Sequence, residues 1–377
     1  MKKICIIAED YPSKGKPSFP FVQQLAFCMS NEGFECTVIA PQSLTKCLVR
    51  HEKIRSIKSI DTNPEGKQIT VYRPYIITFS NTTSKWLNKL SGFLFERAIA
   101  RTFRKLDDVS TVYCYFWHVG LFAARALMKN KVQLVVQASE CEITVNENYR
   151  KQNILQRVNG VVCASRKNYD ESVEHGFITE KSRTTIIPNG YREDEFYVMD
   201  RAQAREKLGF DSSAFIVAFV GGFEDRKGTR RLSNAIDRFP DVYSIFVGKG
   251  NEPPTCKNIL FQGTVDHNQL CTYLNSADIF VLPTNAEGCC NAIIEAVACG
   301  LPVVSSNKSF NNEILDDSYS IRINESSVDE IADAIRRLKE DRELRSRMSE
   351  NAIEASAQFR INRRGQAIAS FILGENP

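Results

Sequence analysis

No apolar run in the 377 residues approaches the ~18–20 needed to cross a bilayer as a helix. The start, Met-Lys-Lys-Ile-Cys-Ile-Ile-Ala-Glu-Asp, turns acidic too soon for a signal peptide and reads as a buried first strand. Twelve cysteines occur without one Cys-x-x-Cys pair, and the adjacent Cys289 and Cys290 do not make a zinc site by themselves. Cys5, Cys36, Cys114 and Cys163 stand in apolar runs, where a reduced thiol acts as a small hydrophobe. The expectation is a reducing cytosol, no disulfide framework and no metal. No Gly-x-Gly-x-x-Gly follows the first strand, so the dinucleotide fingerprint of a dehydrogenase is missing. There is no internal repeat and no low-complexity tract.

What is present has the composition of a globular protein long enough for two domains. Residues 1–198 hold 28 Lys and Arg against 20 Asp and Glu, and residues 199–377 hold 21 against 25. The halves therefore carry +8 and −4, and a basic first half suits an anionic partner.

Strand-like runs in the first half are Lys3–Ala8, Glu35–Ala40, Ile69–Arg73, Val112–Phe116, Gln133–Gln137, Gly160–Ala164 and Thr184–Ile187. In the second half they are Phe215–Val220, Tyr243–Val247, Ile259–Gln262, Ile279–Leu282, Pro302–Ser305 and Tyr319–Ile323. Buried β-rich runs alternating with helix-length segments predict parallel sheets covered on both faces, hence two doubly wound α/β domains. The polar, turn-rich stretch Pro188–Asp200 marks the boundary. Val328–Lys339, Glu343–Ala357 and Arg363–Leu373 carry helical spacing.

The most informative stretch is Glu287–Pro302, Glu-Gly-Cys-Cys-Asn-Ala-Ile-Ile-Glu-Ala-Val-Ala-Cys-Gly-Leu-Pro. Glu287 falls in a turn after an apolar strand. Glu295 lies inside a helix that starts near Cys290 and stops at Gly300, a C′ glycine with Pro302 beyond. Such a unit puts the turn and the helix N-terminus at the carboxyl edge of a parallel sheet, where ligands bind. Two carboxylates there suit the hydroxyls of a sugar, and equally suit two solvated surface residues.

Five segments, in order, resemble the retaining family 4 glycosyltransferases of GT-B type. They are Gly160-Val-Val-Cys-Ala-Ser165; Ile186-Ile-Pro-Asn-Gly190 with Phe196; Phe219-Val-Gly-Gly-Phe223 with Arg226-Lys-Gly228; Gly248-Lys-Gly250 with Phe261-Gln-Gly-Thr-Val265; and Ala277-Asp-Ile-Phe-Val-Leu-Pro-Thr284 leading into Glu287–Pro302. The resemblance covers residues 160–310 well and residues 1–159 more weakly. It implies two Rossmann-like domains facing a central cleft. The first, acceptor-binding, would span 1–192, with a C-terminal helix at about 358–377 packing back on it; the second, at 193–357, would bind the nucleotide-sugar. It further implies that Glu295 binds the ribose, Glu287 the sugar hydroxyls and Lys227 the diphosphate. Asn291 and the amides of Gly288, Cys289 and Cys290 would lie near diphosphate or sugar, and Val265 would belong to the donor site.

The sequence departs from that family in places. The usual arginine after the strand-end glycine is replaced by Gly222, and Arg226 is the candidate substitute. The loop after the first strand, Tyr11–Pro20, is rich in proline, which cannot donate an amide. Lys14, Gly15 and Lys16 there suit an anionic acceptor, or a solvated loop. His118 stands near the family's histidine, although Tyr115 fits the same place. Glu140 is a candidate for the acceptor side.

The implied reaction transfers a sugar from a UDP- or GDP-sugar to a glycan or lipid-linked acceptor in cell-surface glycan synthesis, with retention and without metal or cofactor. A nucleotide-sugar epimerase would want more histidines than the four present, a phosphorylase a longer chain, and a non-catalytic binder no intact Glu287, Glu295 and Lys227. Nucleic acid is not expected as a partner. Ser84–Lys105 interleaves Trp86, Leu87, Leu90, Phe93, Leu94 and Ile99 with Lys85, Lys89, Arg97, Arg101, Arg104 and Lys105. A basic amphipathic helix of this kind suits the anionic inner face of a plasma membrane. It suits as well a helix packed by its apolar face on the first sheet.

Overall fold

In the computed structural model the described residues are 2–13, 18–79, 84–145 and 149–375. Lys14, Gly15 and Lys16 lie outside them. The chain divides into two compact units, one of Met1–Ala164, Asn168–Ile187 and Gly365–Pro377, the other of Ser165–Lys167 and Pro188–Arg364.

The strands of the first unit are β1 (Lys3–Ile7), β2 (Glu35–Ile39), β3 (Gln42–Ser43), β4 (Lys58–Thr62), β5 (Gln68–Tyr72), β6 (Tyr75–Ile76), β7 (Val109–Tyr115), β8 (Gln133–Ala138), β9 (Gly160–Cys163) and β10 (Arg183–Ile186). Its helices are α1 (Pro20–Asn31), α2 (Leu44–Val49), α3 (Lys85–Phe103), α4 (Trp117–Ala126), α5 (Gln152–Leu155) and α6 (Arg166–Glu174). The main sheet runs β10-β9-β8-β7-β1-β2-β5-β4, and all neighbours are parallel except β4 against β5. Its central strands are apolar on both faces because helices cover both: Ile4–Ile7 and Val112–Cys114 are fully buried.

In the second unit are β11 (Phe215–Val220), β12 (Val242–Val247), β13 (Ile259–Gly263), β14 (Ile279–Leu282), β15 (Val303–Ser306) and β16 (Ser320–Ile323). They alternate with α7 (Arg201–Leu208), α8 (Thr229–Ile236), α9 (His267–Ser276), α10 (Asn291–Ala298), α11 (Val328–Glu340) and α12 (Arg342–Ser356). The order is β13-β12-β11-β14-β15-β16, parallel throughout. Strand order reverses between β11 and β14 here, and between β1 and β7 in the first unit. At such switch points the loops leaving two adjacent strands diverge and open a crevice at the carboxyl edge.

All thirteen strands read from the sequence are present. Three others were not legible. β3 and β6 have two residues each and pair only with one another. β4 is an antiparallel edge strand, Lys-Ser-Ile-Asp-Thr, whose Ile60 is exposed, so it lacks the apolar run of a buried strand. The divide between units falls a few residues before position 192, because Tyr191 is buried in the second core and pairs its backbone with Phe359 and Ile361. The chain rejoins the first unit at Gly365, inside α13 (Ile361–Leu373). There Phe371 covers Gly160 of β9, and the Ile372 carbonyl accepts from Gln133 Nε2 at 3.1 Å.

Candidate active site

Two loops meet at the switch point of the second sheet. The first leaves β11 at Gly221, makes the short 3₁₀ turn Asp225–Lys227 and enters α8 through Gly228. Gly228 has φ +77, and a Cβ there would lie 2.3 Å from the Pro283 carbonyl. Only glycine supplies that conformation at that separation. The second loop leaves β14 at Pro283. Asn285 N donates to the Arg226 carbonyl at 2.7 Å, and Arg231 Nη2 reaches Pro283 O at 3.2 Å and Asn285 Oδ1 at 3.3 Å. The lacing fixes each loop on the other.

Glu287 is the result. Its Oε1 accepts from Lys227 Nζ at 2.5 Å, Thr284 Oγ1 at 2.8 Å and Arg226 Nη1 at 3.3 Å. Its Oε2 has no partner among the described residues. Arg226 also donates to the Ala286 carbonyl at 2.6 Å and to Glu224 Oε1 at 2.6 Å, beside Gly222. Burial by itself depresses the Lys227 pKa, but the Cys290 sulfur and the Glu287 carboxylate beside it outweigh burial and raise it. The ammonium therefore stays charged, with one of its three donors spent on Glu287.

Residues 288–290 lead from Glu287 into α10. The amides of Gly288, Cys289 and Cys290 have no acceptor among the described residues, and no side chain caps α10. Unpaired donors at a helix start make an anion site. Asn189 holds this turn: its Nδ2 donates to Asn291 Oδ1 at 2.8 Å and to the Cys289 carbonyl at 3.4 Å. The helix ends in a Schellman motif, with Leu301 N on Ala296 O and Gly300 N on Val297 O, both at 3.0 Å, and Gly300 at φ +75.

Glu295, one turn inside α10, belongs to a different cluster. Burial pushes its carboxyl up to about 7, His267 opposes that, and Glu195 adds to it. His267 Nε2 in turn lies 3.1 Å from Glu195 Oε2, and that bond raises the histidine's pKa. Val265 leaves β13 partly buried against the core.

The switch point of the first sheet holds Glu9, just after β1, and His118, just after β7. His118 Nε2 lies 3.0 Å from Glu9 Oε1, and this contact is the main reason the Glu9 pKa is lowered. Phe116, at φ 74 and ψ 150, makes the elbow that turns the chain into α4. Tyr115 is buried, and its hydroxyl donates to the Phe21 carbonyl at 3.1 Å. Of the two candidates, His118 is thus the partly exposed one. The Glu140 carboxylate accepts from the amides of Trp117 and Ser139 and so caps α4.

Residues 200–355 match the family model described as Glycosyl transferases group 1. The chain is a glycosyltransferase. It is 25% identical over 97% of its length to a Bacillus subtilis protein named for teichuronic acid biosynthesis, and the match covers 97% of that relative. An Escherichia coli galactosyltransferase, named for UDP-Gal and α-D-GlcNAc-diphosphoundecaprenol, is 25% identical over 49% of this chain and 52% of its own. The fold of this glycosyltransferase is GT-B. The sucrose-phosphate synthase of Thermosynechococcus elongatus superposes with a TM-score of 0.77 at 18% identity, covering 99% of each chain. Anabaena HepE in complex with UDP does so at 0.73 and 17% identity, over 99% of this chain and 100% of its own.

Asn189, Thr284, Glu9 and the His267–Glu195 pair were not singled out from the sequence of this glycosyltransferase. Asn189 and Thr284 stood inside quoted motifs, so their positions were visible but not their bonds. Glu9 could have been found from its place directly after β1, once the strand order is known.

Proposed function

We propose that the glycosyltransferase moves a sugar from a UDP- or GDP-sugar to a glycan or lipid-linked acceptor during synthesis of a cell-surface glycan, with retention of configuration. The carrying observation is the Lys227–Glu287 pair at the switch point of the second sheet, flanked by the unpaired amides of Gly288–Cys290. The relatives' names speak for such donors and acceptors in those proteins.

In this reading the diphosphate lies against Lys227, Arg226 and the amides, in the role expected for them. Glu287 Oε2 takes a sugar hydroxyl, Asn291 lies beside the sugar or diphosphate, and Glu295 takes the ribose. The bond from C1 to the diphosphate oxygen breaks, and its electrons go to the phosphate. The acceptor oxygen bonds C1 on the same face, and its proton passes to the departing phosphate oxygen. No protein nucleophile takes part. Fixed cations and amides aimed at the growing charge lower the barrier, and they call for no metal. His118, ordered by Glu9, contacts the donor sugar. The enzyme works as a peripheral protein on the cytoplasmic face of the plasma membrane.

A screen of UDP-, GDP- and ADP-sugars by thermal shift tests this. One sugar nucleotide should raise Tm and be turned over, with release of nucleoside diphosphate. No shift with any of them, or normal turnover in both Lys227→Ala and Glu295→Ala, would overturn the assignment.

A further inference from the structure

The exposed apolar side chains are concentrated in one stretch of the chain. Of the fourteen large hydrophobic side chains exposed among the described residues, nine lie between Leu48 and Phe93. Four of these nine, Ile57, Tyr75, Ile77 and Phe93, line one groove and so are not the scattered singles that any surface carries. α3 carries two of the nine. Its inner face, with Phe95, Ala98, Ile99 and Phe103, is spent on the core of the first unit. Its outer face still carries Trp86, 67% exposed, and Phe93, 45% exposed.

Along the outer face Trp86, Lys89, Phe93, Arg97 and Arg101 recur at three or four residues, which is one stripe of a helix, and Lys105 follows in the turn just past its end. The exposed positions from Trp86 to Lys105 include no Asp or Glu. The acid of this helix, Glu96, is turned inward, where it accepts from the Tyr149 hydroxyl and pairs with Arg125 at 3.4 Å. The Arg97 guanidinium lies 5.5 Å from the Phe93 ring centroid. Beside the stripe lies a groove of about 770 Å³, whose lining includes Ile57, Tyr75, Ile77, Phe93, Arg97, Arg101 and Lys105.

We infer that this groove and stripe are the surface by which the protein docks on a bilayer rich in anionic lipid. The inference deepens the peripheral-membrane part of the proposed function and rests on it. The charge and the apolar surface point the same way. Arg97, Arg101 and Lys105 meet headgroup phosphates, while Trp86 and Phe93 enter the boundary between headgroups and acyl chains, with Ile57 and Ile77 beside them. A nucleic acid would meet the same cations but leave those side chains in water.

Flotation of the full chain with vesicles tests it, comparing phosphatidylglycerol–phosphatidylcholine mixtures with pure phosphatidylcholine at low salt. The expected result is binding to the mixed vesicles alone, weakened at least tenfold in both R97Q/R101Q/K105Q and W86S/F93S. Tryptophan emission gives a second readout, because the chain has two tryptophans and Trp117 is fully buried. A blue shift on adding mixed vesicles should vanish in W86F. Absence of flotation by the unaltered chain would overturn the membrane placement. Flotation undiminished in both variants would leave membrane binding standing and overturn this surface. Thermal shift by sugar nucleotides needs no vesicles, so a failure of the donor reading would show there separately.

Discussion

Lys227 and Glu287 share one short contact but carry different consequences. Their side chains are 13% and 10% exposed, so each is the other's main compensation. Lys227→Ala leaves Glu287 with Thr284 and Arg226, and the fold should survive. Turnover should fall about 10²–10³-fold, the size expected when a preorganised donor to a developing anion is lost. Glu287→Ala instead strands a buried ammonium, which costs about 3–5 kcal/mol. Urea unfolding of both variants, beside steady-state kinetics, separates the two effects.

Glu295 gives a pH signature. Its folded pKa stands near 7 against an ordinary 4.5, chiefly through burial. The folded state therefore holds the proton more tightly than the unfolded chain. The stability this contributes is full below pH 4.5 and is lost as pH rises through about 7. Glu295→Gln stays neutral. Its Tm should exceed that of the parent at pH 8 without ligand, and the gap should close toward pH 4.5, while its affinity for the sugar nucleotide falls. A gap independent of pH would contradict the burial of this carboxyl.

At the scale of elements, the site is the place where β11 and β14 part. Gly228 sets the distance between their loops. Gly228→Ala forces a Cβ to 2.3 Å from the Pro283 carbonyl at a positive φ. We expect a loss of at least about 2 kcal/mol, read as a lower urea midpoint with an unchanged slope. Lys227 sits on the adjoining turn, so turnover should fall with it. α10 does a related job. Its Schellman end and the Asn189 bridge fix both ends of the segment that carries Glu287 and Glu295. In the first unit Glu140 and the Phe116 elbow do the same for the helix that presents His118.

Across the whole molecule, the chain closes on its own beginning. α13 returns to the first unit and buries Ile368, Phe371 and Ile372. A Cβ added at Gly160 would lie 2.9 Å from the Phe371 ring, which shows how closely that helix covers β9. A chain ending at Arg360 should lose this cover. Its thermal unfolding should begin at lower temperature and lead to aggregation, since three large buried side chains contribute roughly 1.5–3 kcal/mol each. An unchanged Tm would show the helix to be dispensable.

The residue order alone determined the thirteen main strands and the α10 segment with its glycine stop, whereas the lysine and two glutamates of the candidate site were picked out by the family resemblance. These are legible because buried parallel strands are continuous apolar runs, and because a helix stop needs a residue that tolerates positive φ. Sequence by itself could not decide partners across space. That Lys227 meets Glu287 while Glu295 lies near the His267–Glu195 pair, that Glu140 caps α4, and that Glu9 faces His118 all depend on strand order. The polar edge strand β4 was hidden for the same reason, since its pairing with β5 comes from a neighbour and not from its own pattern. Local propensity is written in consecutive residues. A crevice at a switch point exists only once the sheet has assembled, and tertiary structure alone chose which loops line it.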